Sequence, residues 1–576
     1  MSSSFDLILK NGKCFIDGQL KATDIGISNG IIKSISKIEK TSNEKILDAN
    51  NLTILPGIID TQVHFREPGS TDVEDLESGS KAAVIGGITS VFEMPNTNPP
   101  TSNHTEFNKK LCLAKNRMFC NYAFYFGATP QNIDDLKKLN DLEGCCGVKL
   151  FAGSSTGNLL VKDEKDIEKV ISNSSKIVSI HSEDEDILNL RKKFIKKGDV
   201  SSHPFWRNEE CAMSSTRRVV KIAERYNKKI HVLHVTTKEE VEFLSRYKGN
   251  VSFEITPQHL TLSAPHCYKL LGSLAQMNPP IREKKHQDML WKAIRDDVAD
   301  MIGSDHAPHS LQDKKKEYPQ TPSGMPGVQT LVPLMLNHVN NNKLTLVQFV
   351  KLVSENPSKI FGIKNKGHIK EGFDADLTIV DMNMKKVIKN EWIASKCGWT
   401  PFDGYEVKGF PLGTIVNGKA IVWDGKLVEK PPVYICLEPD HSSSSIILCE
   451  GLSEKRKTLS SMEGQYLGPT AVICPEYIGD KSILSSIILC VFMFVFTTQE
   501  GRFGGEKLLV RNDVGLGEAS PNVLLSTEKF IVDLFRRGGV PVFKRPTRNP
   551  RLIREAVRSL AASSPILPAE DRFVPT

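Results

Sequence analysis

Hydrophobic and polar positions follow a hairpin-like pattern at both flanks of the first 432 residues. Residues 1–56 alternate short apolar runs with turn-forming pairs such as Asn11-Gly12 and Asn29-Gly30, and residues 366–432 return to the same pattern. Asparagine followed by glycine accepts the positive φ angles of a tight hairpin turn, so both stretches predict antiparallel strands. We expect the two stretches to build one small β-sandwich domain together.

Between these flanks, residues 57–365 repeat a strand-like run followed by a charged amphipathic stretch. The strand-like runs include residues 147–151, 177–181, 230–235 and 251–255. Such alternation over about 300 residues is typical of an α/β fold in which eight parallel strands close into a (β/α)8 barrel. The carboxyl ends of the strands converge on one mouth of this barrel, so polar residues distant in sequence can form one site there.

Residues 433–576 follow neither pattern. The stretch 442–445 is four serines, and the hexapeptide Ser-Ser-Ile-Ile-Leu-Cys occurs at 444–449 and again at 485–490. The apolar run around the second copy has 14 residues, from 483 to 496, whereas a membrane-spanning helix needs about 20. We therefore expect no membrane span, and we expect a poorly ordered tail of unknown role that catalysis does not need.

Charge and cysteine content narrow the function classes. The 75 basic and 68 acidic residues leave a net charge of +7, and the basic residues are dispersed, so nothing predicts a nucleic-acid partner. The 12 cysteines form no Cys-x-x-Cys motif, which favours reduced thiols in a cytoplasmic protein. The first residues lack a basic segment followed by an apolar one, so we expect no export signal.

Five residues that follow strand-like runs, in order along the chain, are candidates for a metal site. They are His64, Lys149, His181, His234 and Asp305. Imidazole and carboxylate are the ligands of catalytic zinc, which keeps one position for water. A single histidine at a strand end is more often a hydrogen-bonded core residue, but five candidates in succession favour a metal. His231 and His234 face opposite sides of a strand, and we assign His234 to the site.

Four longer motifs carry a family resemblance. They are Pro-Gly-Ile-Ile-Asp-Thr-Gln-Val-His-Phe-Arg at 56–66, Met-Pro-Asn-Thr at 94–97, Met-Asn-Pro-Pro at 277–280 and Ser-Asp-His-Ala-Pro-His at 304–309. From about residue 5 to 430 the chain resembles the dihydroorotases of the amidohydrolase superfamily. The resemblance implies a zinc-dependent, reversible cyclisation of N-carbamoyl-L-aspartate to L-dihydroorotate, a step of de novo pyrimidine synthesis. Hydantoinases and allantoinases share the fold and several metal ligands.

The resemblance also implies roles for individual residues. Arg66, Asn96 and His309 would hold the substrate carboxylate, and Asn278 would lie beside the ring. Asp305 would bind metal and act as the acid and base, taking a proton from the attacking water and delivering it to the departing nitrogen.

Each of these residues also has a structural alternative. Arg66 could form a surface ion pair, and His309 could be an exposed loop residue. Asn96 and Asn278 each lie beside a proline, where an asparagine often shapes a turn. Asp305 could cap the amino terminus of a helix.

Lys149 and Gln62 determine how many metal ions we expect. A lysine whose pKa is lowered by burial can add carbon dioxide and become a carbamate that bridges two metals, although Lys149 could instead reach the surface. The superfamily usually has His-x-His on the first strand, whereas this chain has Gln62-Val63-His64. A neutral amide is a poorer zinc ligand than imidazole. We therefore expect one or two zinc ions, with a weakened position near Gln62.

Two other functions stay open. The chain could be another cyclic amidase, of the hydantoinase or allantoinase type, or a catalytically silent barrel that serves as a structural partner of aspartate transcarbamoylase. We also expect a homo-oligomer. Residues 311–327, with three lysines, three prolines and two glycines, predict a mobile loop at the barrel mouth that orders over substrate.

Overall fold

The computed structural model describes residues 5–39, 45–155, 157–247 and 249–429, together with four short strands nearer the carboxyl terminus. The chain divides into one compact unit over Met1–Ser442 and a second over Ser443–Thr576. The prediction of a poorly ordered tail, and the apolar run at 483–496, lie outside the described residues.

Five strands precede the barrel. They are β1 (Leu7–Ile16), β2 (Gln19–Ser28), β3 (Ile31–Ile35), β4 (Lys45–Asp48) and β5 (Thr53–Pro56). Asn29 and Gly30 both have positive φ angles, 52° and 75°, in the turn between β2 and β3, as a tight hairpin requires. Asn11-Gly12 does not form the predicted turn. It lies inside β1 at a bulge, where the register with β2 shifts between Leu9 and Gly12, because a residue with positive φ suits a bulge as well as a turn.

Eight parallel strands form the barrel. They are β6 (Ile58–Val63), β7 (Ile88–Glu93), β8 (Asn121–Gly127), β9 (Cys145–Phe151), β10 (Val178–His181), β11 (Ile230–Val232), β12 (Val251–Ile255) and β13 (Met301–Ile302). They pair in sequence order, and an isolated parallel bridge joins Val63, at the end of β6, to His306, which follows β13. The sheet is therefore nearly closed, and the predicted (β/α)8 barrel is confirmed.

Four further strands follow the barrel. They are β14 (Leu377–Val387), β15 (Glu406–Val416), β16 (Lys419–Trp423) and β17 (Lys426–Leu427). Because β14 pairs with β5, the two flanks join as predicted, in one mixed sheet with the order β17-β16-β15-β14-β5-β1-β2-β3 and with β4 beside β1. In the second unit, β18 (Ser445–Leu448) pairs with β19 (Thr470–Ile473), and β20 (Leu509–Asn512) with β21 (Gly515–Glu518).

Helices connect the barrel strands. They are α1 (Leu76–Ile85), α2 (His104–Ala114), α3 (Ile133–Leu136), α4 (Glu164–Asn173), α5 (Glu185–Arg191), α6 (His203–Trp206), α7 (Glu209–Tyr226), α8 (Lys238–Leu244), α9 (Pro257–Thr261), α10 (His266–Leu271), α11 (Lys284–Arg295), α12 (Leu311–Lys314), α13 (Leu331–Asn340), α14 (Leu346–Val350) and α15 (Asn356–Phe361). Their starts follow local sequence: Asp75 and Thr237 close capping boxes at α1 and α8. No helix within the described ranges is long and apolar enough to cross a membrane.

An apolar plug fills the barrel interior. The ring centroid of Phe361, at the end of α15, lies 5.0 Å from that of Phe92 and 6.2 Å from that of Tyr125. His231 belongs to this interior, where its Nδ1 lies 2.9 Å from Ser252 Oγ and its Nε2 lies 3.2 Å from Glu254 Oε2. Close packing at this level leaves the carboxyl ends of the strands as the place for a cavity.

Candidate active site

A single cavity at the carboxyl ends of the strands brings together the predicted residues, His309 excepted. Its lining includes Gln62, His64, Arg66, Asn96, Lys149, His181, His234, Asn278 and Asp305. His309 lies beside this lining, with its Nε2 3.4 Å from Arg66 Nη2. The structure thus places the predicted metal-binding and substrate-binding residues side by side, and their roles remain predictions.

The first half of the cavity, which we call the two-histidine half, consists of His181 and His234. His181 Nδ1 and His234 Nε2 are 3.0 Å apart. His181 Nε2 lies 2.9 Å from the Glu183 carboxylate, which can only accept, so the hydrogen of this neutral ring is on Nε2 and the lone pair is on Nδ1. Burial lowers the pKa of both histidines. The two rings therefore offer neighbouring nitrogens to one cation.

The second half, which we call the carboxylate half, consists of Gln62, His64 and Asp305. His64 Nδ1 lies 2.7 Å from Asn96 Oδ1, which can only accept, so the lone pair of His64 is on Nε2. His64 Nε2 lies 3.3 Å from Asp305 Oδ1. Two acceptors face each other at this point, an arrangement that a cation or a proton would stabilise.

These distances fit a zinc ion. Two atoms bound to one tetrahedral zinc at about 2.0–2.1 Å lie about 3.3 Å from each other, close to the separations within both halves. Among the residues that the structure describes, no three His, Cys, Asp or Glu side chains come together as a complete metal site. Each half would therefore need a further ligand, and Lys149 is the predicted one.

Lys149 is buried, with 1% of its surface exposed, so it does not reach the surface as its alternative required. Burial lowers the pKa of Lys149 to about 7, against the opposing effect of Asp305 and Glu254. A lysine of this kind is partly neutral near pH 7, and only the neutral amine can add carbon dioxide. The environment therefore suits the predicted carbamate.

The alternatives for two other residues do not fit the structure. Arg66 is buried, and its Nε donates to Pro308 O at 3.1 Å, so it forms no surface ion pair. Asp305 caps no helix, since α12 begins at Leu311 and Ser310 is its cap. Burial raises the pKa of Asp305 to about 7.

Three residues of the lining have strained backbones. Arg66, His234 and Asp305 have φ angles of 62°, 38° and 44°, a region that residues with side chains rarely adopt. Such conformations cost about 1–3 kcal/mol each and cluster at functional sites. The strain was not predictable from sequence, and it directs all three side chains into one cavity.

Some residues that were not predicted from the sequence hold the lining side chains in place by hydrogen bonds. Arg207 Nε donates to Glu183 Oε1 at 3.1 Å, so Glu183 is held between Arg207 and His181. His203 Nε2 lies 2.9 Å from Asn278 Oδ1. Glu183 lies two positions after His181, and that spacing on an extended segment was the one available signal.

The mouth loop, residues 311–327, contains the short helix α12 and is bound to Gln276 by several hydrogen bonds. Lys314, the first of its three lysines, is buried. The ordering of this loop over a substrate remains a prediction.

Comparison with known proteins identifies the family. The profile of the amidohydrolase family matches residues 53–421. The chain is 36% identical to the dihydroorotase of Methanosarcina acetivorans over 74% of this chain and 94% of the relative, and 36% identical to that of Pyrococcus abyssi over 73% and 96%. The chain therefore belongs to the amidohydrolase family, whose members are typically metal-dependent, and it is dihydroorotase-like in sequence.

Solved structures agree on the fold. An L-hydantoinase (dihydropyrimidinase) from Arthrobacter aurescens superposes with a TM-score of 0.71 and 26% identity, covering 74% of this chain and 98% of its own. A dihydropyrimidinase from Brevibacillus agri gives a TM-score of 0.70 and 25% identity, covering 75% and 98%. The predicted resemblance to the amidohydrolases is confirmed.

Proposed function

We propose that this protein is a dihydroorotase, which interconverts N-carbamoyl-L-aspartate and L-dihydroorotate. The observation that carries the proposal is the buried guanidinium of Arg66 in the same cavity as the two halves. An anionic partner stabilises a buried guanidinium, which can bind a carboxylate through two parallel hydrogen bonds. Both named compounds carry a carboxylate, and the relatives at 36% identity are named dihydroorotases.

Zinc is the metal we propose, and the groups that would hold it are the two-histidine half, His64, Asp305 and a carbamate on Lys149. When bound, zinc lowers the pKa of a bound water to about 7 and polarises a carbonyl oxygen. Imidazole nitrogens and carboxylate oxygens, which zinc prefers, make up most of these ligands. Gln62, the remaining member of the carboxylate half, is a poorer ligand because its amide is neutral.

The side chains then bind and orient the substrate and move the proton. Arg66 and Asn96 hold the carboxylate with His309 beside them, and Asn278 lies beside the ring. During hydrolysis a water oxygen bonds to the ring carbonyl carbon, and Asp305 takes the proton. As the carbon–nitrogen bond breaks, Asp305 delivers that proton to the nitrogen. In cyclisation the same transfers run backwards.

A substrate panel tests the proposal. Hydrolysis of dihydroorotate, hydantoin and allantoin would be measured on the purified full chain, with zinc added and after chelation. We expect dihydroorotate to be preferred and chelation to abolish turnover. A preference for hydantoin or allantoin, which lack the carboxylate, would support the alternative that the protein is a cyclic amidase of the hydantoinase or allantoinase type. The structural similarity to an L-hydantoinase favours the same alternative.

The silent-barrel reading is a weaker proposal. A structural partner of aspartate transcarbamoylase needs neither the facing acceptors of His64 and Asp305 nor a buried Arg66. Absence of turnover with every substrate, together with co-elution with that enzyme, would favour it. The homo-oligomer and the cytoplasmic location also remain proposals, which size-exclusion chromatography and cell fractionation test.

A further inference from the structure

Three consecutive lysines in the mouth loop have different environments. Lys315 and Lys316 are exposed, whereas 2% of Lys314 is exposed. Lys314 Nζ donates to three backbone carbonyls: Gly324 O at 2.9 Å, Pro322 O at 3.0 Å and Gln276 O at 3.1 Å. Burial lowers the pKa of Lys314 to about 7, but three carbonyl acceptors can be satisfied together only by the protonated amine, which has three donors. Burial of a charged group is costly without such partners, so this arrangement is a specific structural feature.

Two of the three carbonyls that Lys314 binds, Pro322 O and Gly324 O, flank Ser323. The Ser323 carbonyl itself accepts a hydrogen bond from His309 Nε2, at 3.0 Å. Gln276 strengthens the same stretch, because its Nε2 lies 3.0 Å from both Ser323 Oγ and Thr321 O. Lys314 and Gln276 together therefore fix the position of one carbonyl, and that carbonyl contacts the His309 ring.

This contact determines which nitrogen of His309 carries hydrogen. A carbonyl oxygen can only accept, so Nε2 must donate. Arg66 Nη2, also a donor, lies 3.4 Å from the same Nε2. The Ser323 carbonyl therefore occupies the Nε2 hydrogen, and the neighbouring Arg66 guanidinium keeps its Nη donors for the two oxygens of a carboxylate.

The backbone and the packing of His309 are fixed as well. Trp399 Nε1 donates to His309 O at 2.8 Å. Gly324 packs so closely that a β-carbon there would lie 3.0 Å from His309 Nε2 and 2.5 Å from Ala307 O. The ring therefore has little room to turn, provided that the stretch 322–324 stays in place.

We propose that Lys314 is a positioning residue for substrate binding, which holds the Ser323 carbonyl where it fixes the His309 ring beside Arg66, the group that binds the substrate carboxylate. The identity of that substrate rests on the proposed function. Lys314 touches neither the substrate nor the predicted metal ligands, and its effect is transmitted through the backbone of residues 322–324.

The test compares Lys314→Met with Lys315→Met in the full chain. The first variant removes a buried ammonium, and the second removes an exposed one from the neighbouring position. We expect Lys314→Met to raise KM for dihydroorotate about tenfold, with kcat changed about twofold or less. The reason is that the carboxylate, which His309 helps to place beside Arg66, is bound equally in the substrate and in the transition state. Amide hydrogen exchange in residues 321–324 should also become faster. Lys315→Met should change neither quantity.

A purely structural role would lower the melting temperature of Lys314→Met and leave KM unchanged, and that result would overturn the proposal. If Lys314→Met does not fold, the same two measurements on Lys314→Gln decide, because its shorter amide keeps at most part of the hydrogen bonds. If the wild type does not turn over dihydroorotate, the proposed function fails separately. Hydrogen exchange then decides for Lys314, and unchanged exchange at 321–324 would refute the anchoring.

Discussion

The two halves of the cavity use different chemistry for the same purpose. In the two-histidine half, both ligands are imidazoles, and a buried charged pair, Glu183 and Arg207, fixes the hydrogen of His181. In the carboxylate half, His64 is oriented by an amide, Asn96, and shares its neighbourhood with a second amide, Gln62. A charged hydrogen bond orients a ligand more firmly than a neutral one. The two halves should therefore differ in metal affinity, and the two-histidine half should bind the more tightly.

The largest effect is expected at Lys149, the one predicted ligand that both halves share. Lys149→Ala removes the proposed bridge, so bound zinc and turnover should both fall to background. Zinc would be counted by elemental analysis after gel filtration, and the fold checked by circular dichroism. Full metal content and rate in this variant would show that no carbamate is needed and that the halves bind independently.

Asp305→Asn should separate chemistry from binding. The amide keeps the shape of the carboxylate but cannot take the proton, and general acid–base catalysis of this kind contributes about 10²- to 10⁴-fold. We expect turnover to fall by about that factor, and metal to be lost from the carboxylate half alone. Loss of both metals would contradict the assignment of Asp305 to the carboxylate half alone. Asp288→Asn, an exposed carboxylate on α11, is the matched control, with no change expected.

The barrel and most residues of both halves could be predicted from the sequence, because strand periodicity and polar residues at strand ends are local signals. His64, His181 and His234 each follow an apolar run, and the barrel brings such positions together. The supporting residues were harder to find. Arg207 lies 24 positions from its partner Glu183, and Lys314 binds only backbone carbonyls, which every residue has. Contacts of this kind depend on the tertiary fold and have no pattern along the chain.

Positive φ angles are a second feature that the sequence predicts poorly. At Asn29-Gly30 the dipeptide forms the expected turn, whereas at Asn11-Gly12 it forms a bulge within β1. The same backbone conformation serves both, so only the pairing of the neighbouring strand distinguishes them. At Arg66 the residue type gives no sign of positive φ, whereas Asp305 is of a type that adopts such angles more often than most.

Glu183→Gln tests the support of the two-histidine half. The variant weakens the hydrogen bond to His181 and leaves Arg207 without its carboxylate, and supporting partners of this kind are worth about 10- to 100-fold in metal affinity. We expect zinc affinity of this half to fall by that factor and to approach that of the carboxylate half. Competition with a chromogenic chelator measures the affinity. Asp186→Asn, an exposed neighbour, should leave it unchanged, and an equal loss in that control would mean that the effect is not specific.

The smallest effect, and the only gain, is expected at Gln62. Its Nε2 donates to Asp305 Oδ1 at 3.0 Å, and within the described residues its Oε1 has no hydrogen-bond partner. The amide therefore presents its donor, not its acceptor, to the carboxylate that should share a metal with His64. Gln62→His restores an imidazole, so zinc content should rise towards two per chain while the affinity of the two-histidine half stays constant. Turnover should increase only if occupancy of the carboxylate half limits the reaction. Elemental analysis of the wild type beside this variant measures the change, and two firmly bound zinc ions in the wild type would show that Gln62 does not weaken the site and that the halves are equal.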